Sequence, residues 1–481
     1  MDFARTISTP VKKNALLLAG LLAILFFITT KGSIGLLSSC LISLLPFILL
    51  SLYYSIQNPY GLYFAVFILN YFVMGINRYI PSIPGGVLID GSLILLLIIL
   101  LFQSTYKKIP WRYSFNGWTL SSVIWMIYCC CCLWNPESVS KAAWFAAIRG
   151  MAFYMLIVAV LVPLVIKNYK QMKAFVIVWG ILIFLASAKA YMQKNIGFDD
   201  AEWRWLMERG GTTHLLATGT RYFSFFTDAS NFGTGLAFAA VVFLITSFYE
   251  KGWLKIYYWL VVAAAIYGVI VSGTRTAMAI PFFSFVLYAI ICRNWKVSLF
   301  IVVLMALVFC FFKYTYIGQG HPDIRRMRSA FDSNNASKNV RVENQKLIRT
   351  YMADKPFGVG LGLGGVRAQE YTPDSYIAKI PTDSWFVSVW VETGIVGLIL
   401  YLILMFSCIG YGAYLVFFRL KNSQLRAYVC SFTVGIFAML LASSSNEIFA
   451  QFSNSIIIYT FLAFIFISPR LDKELIDEQT N

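Results

Sequence analysis

Arginines and carboxylates in this sequence fall where an ionisable group is costly. Arg149, Arg221, Arg275, Asp228, Glu392 and Glu447 lie at or near the ends of long apolar runs, as do Asp90 and Lys189. Charged groups at such depth mark substrate or ion pathways by default. Arginine is the more telling type: its planar guanidinium donates two parallel hydrogen bonds and never loses its charge, which fits a phosphate. Arg275 sits in Ser272-Gly273-Thr274-Arg275-Thr276-Ala277, a turn that leaves almost no loop between two apolar runs. Its guanidinium must meet headgroups or an anion. Arg221 leads into Tyr222-Phe-Ser-Phe-Phe-Thr-Asp228-Ala-Ser-Asn231. Arg341 lies in a long polar stretch, with Arg349 about two turns further on. Arginines converging from separate loops can grip a pyrophosphate, so Arg275, Arg341, Arg221 and Arg149 are the expected ligands. Asp228, Glu392 and Glu447 are secondary candidates. The bland alternative for any one of them is a structural ion pair or a snorkelling side chain, and for Arg341 a solvated helix face.

The elements that must hold these groups are helices in a bilayer. The 481 residues are 59% hydrophobic and 13% charged, against about 25% charged in a soluble domain. Apolar runs of spanning length occur near 14–29, 34–54, 59–75, 87–103, 117–134, 149–166, 174–190, 232–248, 255–271, 276–292, 297–315, 386–417, 427–444 and 447–468. The expected fold is all-α: a polytopic integral membrane protein of about fourteen transmembrane helices, forming a single membrane domain over 1–481.

Short-loop charges orient it. Arg5, Lys12 and Lys13 precede the first run. Alternate loops hold Lys107, Lys108 and Arg112; Lys167, Lys170 and Lys173; Lys251 and Lys255; Arg293 and Lys296; and Arg419, Lys421 and Arg426. Cytoplasmic loops collect such charge, so both termini are expected inside. Two long loops, 191–231 and 316–385, then fall outside. The larger is expected to contain one amphipathic helix from Asn339 to Asp354, with Val340, Leu347, Ile348 and Met352 as its apolar residues. The tail 469–481 is expected to be cytoplasmic and frayed. In this orientation the costly charges share the outer side, which calls for one polar cavity opening outward.

Other readings are weaker. The net charge of +17 follows from the cytoplasmic loops, and no basic domain exists to bind nucleic acid. The nine cysteines lie in apolar segments without metal-ligand spacing, so no metal or other cofactor is expected. Gly360-x-Gly362-x-x-Gly365 spells a dinucleotide fingerprint but lacks the strand–turn–helix context it needs.

The stretch 355–398 holds Pro356-Phe-Gly358-Val-Gly360-Leu-Gly362, a polar loop, and Glu392-Thr-Gly394-Ile-Val-Gly397. It resembles the loop and following helix of the O-antigen ligase/polymerase superfamily. The Ser-Arg-small turn at 272–277, the arginine ahead of Phe…Asn at 221–231, and Arg341 about fifteen residues before Pro-x-Gly-x-Gly extend the resemblance, in order, over roughly 215–400. The resemblance implies an enzyme of the bacterial inner membrane with its active face periplasmic. It would move an undecaprenyl-pyrophosphate-linked oligosaccharide onto an acceptor glycan hydroxyl, among membrane lipid and partners of a polysaccharide assembly complex. Polymerisation of repeat units and ligation to lipid A core both remain open. Ligases of the family carry a His-Asn pair before the Glu-x-Gly helix, where this chain has Thr382-Asp383-Ser384. That departure favours polymerisation and makes Asp383 the candidate base, with helix capping as the plain alternative. A transporter or flippase is the reading from another class; it calls for charge near the midplane and two similar halves, and neither is found.

The charge pattern makes a direct prediction. Single cysteines in a cysteine-free background, labelled with an impermeant thiol reagent, place Asn335 and Thr382 outside and Lys170 and Lys421 inside. Labelling of positions 170 and 382 from the same side refutes the orientation.

Overall fold

The computed structural model describes residues 10–30, 42–81, 85–216, 219–292, 295–328 and 336–480. Arg5, Arg293, Asn335 and the start of the run at 34–54 lie outside the described residues. The helices are α1 Pro10–Thr30, α2 Leu45–Gln57, α3 Pro59–Tyr79, α4 Gly85–Gln103 and α5 Gly117–Cys131. They continue with α6 Lys141–Val165, α7 Tyr169–Asn195, α8 Asp200–Trp205, α9 Ala229–Ser247, α10 Gly252–Ser272, α11 Arg275–Ile291 and α12 Trp295–Tyr314. The last are α13 Pro322–Arg328, α14 Ala336–Tyr351, α15 Trp385–Tyr414, α16 Ser423–Ala442 and α17 Asn454–Thr480. Ten of them are long and apolar enough to cross a membrane, among the described residues, and four shorter apolar helices accompany them. The protein is an all-α, multi-pass membrane protein.

Two compact units emerge, one from Met1–Val66 and Asp90–Ile109, the other from Phe67–Ile89 and Pro110–Asn481. In the first, the Gln103 side-chain amide donates to the Ile56 carbonyl. In the second, α9 packs along α10 and α11 along α16, while α17 lies against α6. All the candidate site residues belong to the second unit.

The longest span governs that unit. α15 continues through a wide turn to Arg419, 35 residues from Trp385. It breaks at Gly394, which has φ 75° and ψ 179°. A broken helix strands backbone groups, and lipid offers them no partner. Here the segment after Pro356 supplies partners. Val359 N–H donates to the Val391 carbonyl at 2.9 Å, and Gly360 N–H to that of Glu392 at 3.1 Å. The Pro356 carbonyl accepts from Val396 N–H at 3.3 Å, and the Thr393 carbonyl accepts from the Tyr128 hydroxyl at 2.7 Å. Contact is so close that a Cβ on Gly358 would stand 2.6 Å from the Glu392 carbonyl oxygen, and a Cβ on Gly394 would run into the Pro356 carbonyl. Both glycines also have positive φ. The glycine-rich motif thus mends the break in α15.

The first long loop, 191–231, is folded. Asp199 caps α8 with a capping box closed by Glu202. Lys189 lies 3.1 Å from Asp199 and 3.0 Å from Glu202, so its charge is structural. A two-stranded ribbon, β1 Leu215–Leu216 and β2 Gly219–Thr220, leads into Arg221, whose N–H donates to the His214 carbonyl at 2.9 Å. Arg78 of α3 holds the next turn. Its guanidinium donates to the carbonyls of Ser224 (2.9 Å), Phe226 and Thr227 (3.2 Å), and lies over Trp205 and Phe223 at 4.5 and 4.4 Å.

Two expectations need correction. The tail after Arg470 is not frayed: α17 runs through Pro469 to Thr480. Arg470 donates to the Pro163 carbonyl at 3.2 Å and also to that of Ile166. Asp472 accepts from Lys421 and Asn422 N–H at 3.0 and 2.9 Å. The chain past the membrane is held because its charges satisfy backbone groups of neighbouring helix ends. In the large loop, α14 turns a narrower apolar face inward than expected. Ile348 and Met352 are buried beside Val359, Leu363, Ile377 and Val391, whereas Val340 and Leu347 are exposed.

Two predictions follow from these anchors. Gly394→Ala costs on the order of 2 kcal/mol or more, through positive φ and the clash with Pro356, and lowers the melting temperature in detergent. Gly410→Ala, where nothing lies within 4 Å, does not. Equal melting of the two variants refutes the account of the break.

His214 gives a pH signature. Its Nδ1 faces the Gly210 carbonyl at 2.9 Å, and its Nε2 accepts from Ala229 N–H at 3.1 Å. Burial pushes its pKa down to about 4, against the pull of the Gly210 carbonyl and Asp228, with Arg221 and Arg78 adding to the fall. An unfolded histidine titrates near 6.5. Between those values the unfolded chain binds more protons, so stability falls as pH drops from about 6.5 to 4, by on the order of 3 kcal/mol. His214→Gln flattens this slope in melting temperature; parallel slopes for the two proteins refute it.

Candidate active site

The candidate side chains come together around two adjoining cavities. The first has a volume of about 1040 Å³ and the second about 790 Å³. Arg275 lines the first; Arg149, Asp228, Glu392 and Glu447 line the second; Arg221, Arg341 and Asp383 line both. Asp90 and Lys189 line neither.

Each member of the first cavity is positioned by a local rule. Gly273 ends α10 in a left-handed turn (φ 56°), and Arg275 opens α11 two residues later. Arg221 is braced by neutral acceptors: the Ser272 carbonyl at 3.3 Å, the Thr213 carbonyl at 3.2 Å, the Ser230 hydroxyl at 2.9 Å and the Thr274 hydroxyl at 3.0 Å. These acceptors fix its plane without cancelling its charge. Its pKa is lowered, first by burial, against the pull of Asp228, and further by the like charges of Arg275 and Arg341. Three cations therefore feel one another across this space, an arrangement that an anion relieves. Arg341 is carried on α14, whose Ile348 and Met352 seat the helix on the glycine-rich turn. Apolar side chains line the same cavity: Met278, Phe282 and Phe283 from α11, and Met305, Val308, Phe309 and Phe312 from α12.

The second cavity gathers many polar and charged groups among its lining residues. Glu392 stands two residues before the break in α15 and accepts from Gly362 N–H at 3.0 Å. Glu447 accepts from the Thr382 and Ser388 hydroxyls at 2.9 and 2.6 Å, and Arg367 lies 3.2 Å from its other oxygen. Asp228 caps α9, accepting from Ser230 and Asn231 N–H at 2.7 and 2.9 Å, so it has a structural duty as well as a place in the wall.

Asp383 sits where the two cavities join, exposed and with φ 54°. The capping alternative fails, because Ser384 occupies the N-cap position of α15, with no side-chain cap bond. His214 lines the second cavity, but both ring nitrogens are engaged with backbone.

Two arginines of the site were not found by sequence reasoning. Arg326 of α13 lines the first cavity and donates to the Gly273 carbonyl at 2.8 Å. Its neighbour Arg328 instead turns to the Ile317 carbonyl at 2.7 Å. The cluster Arg325-Arg326-Met-Arg328 was visible in the sequence, but not which member faces inward. Arg367 lies on a short turn, Val366–Glu370, without periodicity to single it out.

The family described as O-antigen ligase matches residues 259–402, from mid-α10 to mid-α15. A curated "O-antigen polymerase" from Salmonella muenchen is 24% identical over 353 residues, covering 68% of this chain and 82% of that protein. The matched segment contains Arg275, Arg326, Arg341, Asp383 and Glu392, and the glycine-rich motif that mends α15. In both respects the chain is similar to O-antigen ligases and polymerases, membrane proteins of glycan processing.

Proposed function

We propose that the protein polymerises glycan repeat units on the periplasmic face of a bacterial inner membrane, with both termini cytoplasmic. Its donor is an oligosaccharide linked to undecaprenyl pyrophosphate, and its acceptor is a sugar hydroxyl of a second glycan. The observation that carries this reading is the pairing of the two cavities. One is lined by four arginines together with methionine and phenylalanine side chains, suited to a prenyl chain ending in pyrophosphate. The other offers carboxylates, amides and arginines, suited to sugar hydroxyls. Asp383 stands at their junction.

The chemistry balances simply. The acceptor oxygen attacks the anomeric carbon, and the bond from that carbon to the phosphate oxygen breaks. The prenyl pyrophosphate leaves with the electron pair, and the hydroxyl proton passes to Asp383. Preorganised arginines stabilise the charge that grows on the leaving group, which supplies the electrostatic help without a metal. Polymerisation is favoured over ligation because Thr382-Asp383-Ser384 stands in place of a His-Asn pair, and because the curated relative is described as a polymerase. Transport is disfavoured: Arg275, Asp228 and Asp383 stand at helix ends and not at mid-span.

Membranes carrying Arg275→Ala lose polymer by at least about 100-fold at unchanged protein level, and Arg275→Lys recovers little because lysine lacks the fork. Asp383→Asn slows turnover by roughly 100-fold or more, the scale of a lost general base. Wild-type polymer from Arg275→Ala removes that residue from the site. Wild-type rates from Asp383→Asn remove the base role.

A further inference from the structure

The second cavity contains a pair that the transfer chemistry leaves without a task. Arg367 and Glu447 come from distant parts of the chain, one from the turn after the glycine-rich motif, the other from the connection between α16 and α17. They meet at 3.2 Å. Glu447 is held from both sides. One oxygen takes the hydroxyls of Thr382 and Ser388, at 2.9 and 2.6 Å, and the other faces Arg367. The Ser388 and Thr382 hydroxyl oxygens lie 2.9 Å apart, so the two donors sit side by side on one carboxylate oxygen. Arg367, by contrast, has a side chain 68% exposed, and its pairing uses one terminal nitrogen. An exposed ion pair contributes little to stability, about 0–1 kcal/mol. The network around Glu447 is therefore elaborate for what it would contribute to folding.

Its geometry suits recognition. A carboxylate locked by three donors keeps lone pairs to accept from a hydroxyl. The guanidinium beside it keeps N–H groups to donate to a neighbouring sugar oxygen. Adjacent hydroxyls on a sugar ring present that alternation of donor and acceptor. Tyr371, half-buried on the same cavity wall, adds an aromatic ring at its side. The first cavity's row of methionine and phenylalanine side chains is reduced here to Met151 and Phe452, beside Tyr154 and Trp385.

We propose that Arg367 and Glu447 form the acceptor subsite, which reads the hydroxyls of the acceptor's terminal sugar and takes it from water without its lipid. This rests on the transfer reading given above. A lipid-free glycan is then sufficient to occupy the subsite, independently of the pyrophosphate site. Glu447 orients Arg367, and Arg367 touches the sugar.

The test uses the full-length protein in detergent and two soluble probes. One is farnesyl pyrophosphate. The other is the lipid-free repeat-unit oligosaccharide released from the source bacterium's own surface polysaccharide. Binding is followed by calorimetry in wild type, Arg367→Ala, Glu447→Gln and Arg275→Ala, with melting temperature as the check on folding. Loss of a charged hydrogen bond predicts that Arg367→Ala weakens oligosaccharide binding by about 10- to 100-fold, while farnesyl pyrophosphate binds as in wild type. Arg367→Lys recovers part of the loss. Arg275→Ala shows the opposite pattern. Unchanged oligosaccharide binding in Arg367→Ala and Glu447→Gln, with the pyrophosphate still dependent on Arg275, overturns the acceptor subsite alone. A wild-type protein that binds no oligosaccharide also overturns it. Pyrophosphate binding indifferent to Arg275 overturns the transfer reading beneath it.

Discussion

A helix interrupted inside a membrane must find partners for its freed carbonyls and N–H groups, and the site depends on how α15 meets that demand. The break at Gly394 turns Val391, Glu392 and Thr393 carbonyls away from the helix, and Val359, Gly360 and Tyr128 take them up. Because Val359 and Gly360 must lie against α15, the loop that follows is committed to the same end of the helix. That places Gly362 on the Glu392 carboxylate, and Arg367 within reach of Glu447. It also creates the apolar bed of Val359, Leu363 and Val391 on which α14 rests, and so fixes Arg341. One backbone accommodation thus sets three charged groups from separate parts of the chain.

The arginines show a second economy. Arg78 and Arg221 are both buried or half-buried, and both are ringed by neutral oxygens. Their surroundings diverge in purpose. Arg78 spends its donors on carbonyls of a turn and its faces on aromatic rings, which locks the first long loop. Arg221 lies beside two further cations, so its field adds to theirs. A cluster of like charge is tolerable only where a counter-charge arrives or water reaches it, and the cavity provides for both.

Much of this was legible in the sequence. Apolar runs marked the helices because spanning length and low charge leave few alternatives. The charged residues that line the cavities were legible because charge at helix ends is costly enough to need a reason. Long-range backbone pairing was not. No local pattern says that Val359 will pair with Val391, although the repeated glycines signalled close approach. Helix phase hid Arg326 among its neighbours. The tail misled because its acidic composition resembles a frayed end, whereas Asp472 and Arg470 each answer a backbone need on another helix. The sequence left helix capping open for Asp383, and the structure puts Ser384 in the cap position instead.

The stitched break also bears on the bilayer itself. From Gly394 to Arg419 the lower limb of α15 extends for about 39 Å at 1.5 Å per residue, against a hydrocarbon core of about 30 Å. A limb that long must lean, and leans further as the bilayer thins. Its upper end is not free to absorb the change, being sewn to the glycine-rich turn on one side and to Tyr128 on the other. Tilt below Gly394 therefore reaches the second cavity as torque, which makes lipid thickness a mechanical input to the geometry around Glu392.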